Sequence, residues 1–132
     1  MGSSAIRLTG KVNLRLLEAA MNMAISEVLG GTTKVEKDFT VRAMDNSTKE
    51  CLFGFKNDSL RYGIGVAIEN NQVKFFGDDY GVESTFAAVT RKTQQQYTLL
   101  GLAKFAHDRG MKLSKAIQSP ADRDALIVAL EG

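Results

Sequence analysis

The chain has 132 residues, 44% of them hydrophobic and 24% charged, with a net charge of +2. That length and apolar content fit one folded domain over residues 1–132 and exclude an intrinsically disordered chain. The single cysteine, Cys51, excludes an intramolecular disulfide, and no apolar run approaches the roughly 18 residues that cross a bilayer.

The first ten residues, MGSSAIRLTG, lack the apolar core of a signal peptide. The expectation is a cytoplasmic protein with no membrane contact. The charge balance is weakly basic and spread out, unlike the concentrated basic face of a dedicated nucleic-acid binder.

Ile6 to Val12 predicts a first strand, weakened by Gly10. Leu14, Leu17, Met21, Ile25 and Val28 then recur at helical spacing. Asn13 is placed to cap this helix, and Gly30-Gly31 to end it. Residues 32–38 read as a loop. Phe39 to Met44 alternates and predicts a strand, 45–50 a turn, Cys51 to Phe55 a strand, and 56–60 another turn.

Arg61 to Val82 (RYGIGVAIENNQVKFFGDDYGV) carries the clearest pattern. Tyr62, Ile64, Val66 and Ile68 share one strand face, and Gly63, Gly65 and Ala67 the other. Asn70-Asn71 suits a two-residue hairpin turn. That turn pairs Ile68 with Val73, Val66 with Phe75, Gly65 with Phe76 and Gly63 with Asp78. The bare glycine face permits close approach, with internal packing the leading explanation and Phe76 the obvious filler.

A second helix is expected from Ser84, as its cap, to about Asp108, with an inner stripe of Phe86, Val89, Thr93, Tyr97, Leu100 and Ala103. Gly110 ends it. Met111 to Ile117 and Ala125 to Leu130 predict two final strands. The sum is an α+β fold. Its largely antiparallel sheet has five to six strands, with two helices on one face and a split β-α-β (ferredoxin-like) character.

The order resembles a small conserved family of unknown function, encoded in some algal plastid genomes and across cyanobacteria and other bacteria. The residues that carry the resemblance are Tyr62-Gly63-Ile64-Gly65-Val66, Gly77-Asp78-Asp79-Tyr80-Gly81, Gln95-Gln96-Tyr97 and Gly110-Met111-Lys112-Leu113, within 13–130. Gly63 stands where that family has Asp, and Tyr80 where it has Trp. The resemblance implies a fold and a cytosolic or stromal location. It implies no mechanism.

Chemistry-bearing residues are few. Asp78, Asp79, Tyr80 and Glu83 gather where the hairpin ends and the second helix begins, a place for a ligand. The same carboxylates also suit a solvated strand end beside a helix dipole. One histidine, His107, and one cysteine make no zinc set. Cys51 opens an apolar strand and reads as a small buried hydrophobe. Gly63 and Gly65 precede no helix, so the dinucleotide fingerprint fails. Arg91, Lys92, Lys104, Arg109, Lys112 and Lys115 offer a basic surface for phosphate backbone, although Phe75 and Phe76 point to opposite faces and make no stacking platform.

The sequence therefore points to a non-enzymatic binding domain. Its partner is a protein or another copy of itself, and its ligand site lies at Asp78, Asp79, Tyr80 and Glu83. A nucleic-acid or nucleotide binder using the basic residues is the alternative. An enzyme with an acidic site at the hairpin end ranks last, and no cofactor or metal is expected.

Overall fold

The computed structural model describes residues 2–7, 12–70, 72–118 and 126–131. Helix α1 (Leu14–Val28) begins where Asn13 turns extended and its side chain accepts the Leu16 N–H at 3.1 Å. It ends as Gly30, at φ 69°, donates back to Ile25 O and Ser26 O. Its buried residues are Leu17, Ala20, Met21, Ala24 and Ile25. The two outermost expected members, Leu14 and Val28, lie on the exposed side, and the two alanines take up the inner stripe.

Strands β2 (Glu36–Arg42), β3 (Thr48–Phe55), β4 (Ile64–Glu69) and β5 (Gln72–Gly77) form an antiparallel meander. Hairpin connections, the longest of them 56–63, make sequence neighbours into sheet neighbours. β1 (Gly2–Arg7) pairs antiparallel with the other edge of β5, giving the order β1-β5-β4-β3-β2. The first strand thus lies earlier than Ile6 to Val12, and residues 8–11 fall outside the described part.

The α+β class with two helices and antiparallel pairing holds. The ferredoxin-like order is not found among the described residues. β6 (Lys112–Gln118) and β7 (Leu126–Glu131) pair with each other as a separate two-stranded sheet. Apolar alternation says that a strand is half-buried, and says nothing about which edge it joins.

The β4–β5 hairpin has the register its turn predicted: Glu69 faces Gln72, Ile68 faces Val73, Val66 faces Phe75 and Gly65 faces Phe76. Asn70 takes the left-handed φ of 52°. The expected Gly63–Asp78 pair is absent, because Gly63 turns to φ 75° before β4 begins.

Helix α2 (Glu83–Asp108) has 26 residues and so runs about 39 Å. Val82, not Ser84, holds the cap position, without a side-chain cap bond. Leu17, Met21 and Ile25 of α1 and Phe86 and Val89 of α2 pack on Phe53, Phe55, Ile64, Val66, Val73 and Phe75 of the sheet. The Tyr97 hydroxyl, accepting from Asn13 N–H at 3.1 Å, ties the long helix to the start of the short one.

Candidate functional site

The acidic corner forms as the sequence suggested, but its members do different jobs. Asp78, Asp79, Tyr80 and Glu83 line an open groove of 520 Å³ with Ala43, Met44 and Asp45. Asp78 is engaged at both oxygens: Oδ2 accepts Met44 N–H at 2.7 Å and Oδ1 accepts Tyr80 N–H at 3.1 Å. Those two donors, Met44 first, hold its carboxyl below the usual aspartate range. Asp78 therefore fastens the β2–β3 turn to the end of β5. Glu83 accepts from Gly81 N–H, and Tyr80 is 70% exposed. Among the described residues, no group of three or more His, Cys, Asp or Glu side chains is arranged to hold a metal ion.

The basic residues are scattered. At 100° per residue, Arg91, Lys92 and Lys104 point to three different sides of α2. Lys92 is bonded to Glu27 of α1 at 3.1 Å. Arg109 stacks its guanidinium 3.7 Å from the centre of the Phe105 ring. Lys112 and Lys115 belong to β6. His107 is exposed in the last turn of α2. No helix among the described residues is long and apolar enough to cross a membrane.

The glycine face is filled from within, by residues other than Phe76. A Cβ on Gly65 would collide with Cys51 Sγ and with Val41 Cγ2, and one on Gly54 with the Phe39 ring. β2 has curled over the sheet face away from the helices and touches β4 and β5, which are not its sheet neighbours. Phe76 stays half-buried, with Lys49 Nζ 5.0 Å above its ring.

This curl opens a site that sequence reasoning missed. β3 pairs with β4 only from Phe53↔Val66 to Phe55↔Ile64. Continuing that register would set Leu52 against Ala67, Cys51 against Ile68 and Glu50 against Glu69. Like charges directly opposite each other destabilise a ladder. Instead the strands part. Glu69 takes Lys49 at 2.8 Å and Lys74 at 3.7 Å. Lys49, by its hydrogen bond, draws the Glu69 carboxyl below its ordinary range, and Glu69 in turn raises the Lys49 ammonium.

The gap is a cavity of 620 Å³ lined by both parted strands, Lys49–Leu52 and Ala67–Glu69, and by 38–40 of β2. Cys51 sits in its wall, donating weakly to Lys49 O at 3.6 Å. Burial pushes its thiol up, the opposite of the lowering that activates a nucleophilic cysteine. A sequence signal for the gap is that the β3–β4 register, if continued, would set Glu50 opposite Glu69, legible only once that register is known.

No family profile matches the chain, and neither the curated proteins nor the solved structures include a significant match.

Proposed function

We propose that this chain is a small, non-enzymatic binding domain whose partner is a protein, held as an extended segment in the gap between β3 and β4. The observation that carries the reading is the early end of the β3–β4 ladder. Two strand edges, at 49–52 and 67–69, face each other across a cavity without pairing. Unpaired strand edges are templates for an added strand. The backbone supplies affinity, and apolar walls such as Leu52, Phe39 and Ala67 supply pockets for alternate side chains.

Enzymatic readings have less to rest on, because the Cys51 thiol is held in its neutral form and Asp78 is committed to two backbone N–H groups. A cytoplasmic location and membership of the plastid and cyanobacterial family belong to the same proposal. They are supported by the lone buried cysteine and by the motifs around β4 and β5.

The test is selection of binders from a random peptide library, followed by amide chemical-shift mapping on the labelled protein. Shifts concentrated at 49–52 and 67–69 are expected. Binders that shift only 78–83 or α2 would move the site elsewhere and end this reading.

A further inference from the structure

β2 and β3 lose their regularity at one level. Asp38 takes φ 53°, a left-handed conformation uncommon for a residue with a side chain. It lies between the pairs Lys37↔Phe53 and Phe39↔Cys51, level with Leu52. At that same level β3 leaves β4: Phe53 belongs to the helix-facing core, whereas Cys51 packs against Gly65 on the other face. Asp38 and Leu52 thus mark a hinge line. Beyond it, residues 39–51 form a two-stranded arm, closed by a turn in which Ala43 and Asn46 bond Ser47 O and Ala43 O.

The arm lies folded onto the glycine face, with Val41 and Cys51 against Gly65 and Phe39 against Gly54 and Gly63. Two polar ties hold it there. At the tip, Met44 N–H donates to Asp78 Oδ2 at 2.7 Å. Across the gap, Lys49 meets Glu69 at 2.8 Å. A repulsion works against the first tie. Asp45 on the tip lines the same groove as Asp78, Asp79 and Glu83, and its charge disfavours ionised Asp78.

We propose that residues 39–51 are a hinged flap, latched by Asp78 and strapped by Lys49–Glu69, and that lifting it widens the β3–β4 gap to admit a peptide. Admission of a peptide rests on the function proposed above; the flap itself does not. Glycines at 54, 63 and 65 fit this device, since they let the arm seat closely without a covalent or ladder bond to β4.

Cys51 rides on the arm and is 8% exposed, so it reports the opening. The experiment measures the rate at which an aromatic disulfide reagent labels Cys51 at fixed pH, against denaturant concentration. The full chain is compared with Asp78→Ala and Glu69→Gln. A flap opens locally, so labelling should depend on denaturant far less steeply than global unfolding does. Asp78→Ala should speed labelling in water about tenfold or more, the size expected for losing hydrogen bonds to a charged group, with the helical circular dichroism intact. Should Asp78→Ala fail to fold, Glu69→Gln gives the same readout through the strap.

Labelling that follows the global unfolding slope in every folded variant overturns the flap, as does an unchanged rate in Asp78→Ala. Flap opening without any selected peptide binding at the gap refutes the peptide reading alone.

Discussion

Replacing Gly65 by alanine sets two effects against each other. Alanine in a strand interior is ordinarily favoured over glycine by about 0.5–1 kcal/mol, because glycine loses more backbone freedom on folding. Here the new Cβ would lie 2.6 Å from Val41 Cγ2 and 2.9 Å from Cys51 Cβ, and closer still to Cys51 Sγ. Favourable carbon contacts begin near 3.5 Å, so the neighbours must retreat by about an ångström. Val41 is wholly buried, Cys51 nearly so, and a β-branched side chain has little freedom at χ1.

Overpacking of this kind costs about 1–3 kcal/mol and outweighs the backbone gain. A net loss of about 1–2 kcal/mol lowers the Tm of a domain this size by roughly 3–10 °C. Thermal and urea unfolding followed by circular dichroism reads it directly. Cys51→Ala removes the nearest atom, so the double variant Gly65→Ala/Cys51→Ala should be more stable than the two single losses predict by addition. A neutral or stabilising Gly65→Ala, or strict additivity in the double variant, would refute the packing of the arm on the glycine face.

Gly101, inside α2 with no atom within 4 Å of the place a methyl group would occupy, should behave oppositely: Gly101→Ala raises stability by about 0.5–1 kcal/mol in the same assay. Asn13→Ala removes the α1 cap and should cost about 1 kcal/mol, while Asn13→Asp or Asn13→Ser retains most of it. Acid dependence follows from Asp78. Its carboxyl titrates lower in the folded chain than in the unfolded one, so the unfolded state binds more protons in between. Its stabilisation is complete above the unfolded value of about 3.9 and is lost as pH falls through the lower folded value. Urea titrations from about pH 6 down to about pH 2 should show a shallower acid loss in Asp78→Asn than in the parent; parallel curves would remove Asp78 from the acid limb.

The sequence by itself determined what depends on near neighbours in the chain. Helix α1 and its two ends were legible because an N-cap, a 3.6-residue stripe and a glycine stop act within a few residues of one another. The β4–β5 register was legible because a two-residue turn fixes pairing locally. The acidic corner was legible as a cluster, since four of its residues lie within six positions. What those carboxylates do was not, because the donor that claims Asp78 is Met44, 34 positions away.

Both β2 and β3 reach further than the alternation suggested, at Glu36–Lys37–Asp38 and Thr48–Lys49–Glu50. Polar residues at these largely exposed strand ends leave no hydrophobic period to read. Only the tertiary structure decided that β2 curls onto the glycine face and that β3 parts from β4 beyond Phe53. Those outcomes depend on which side chains of different strands meet in space, and on a Glu50–Glu69 opposition that a continued β3–β4 register would create.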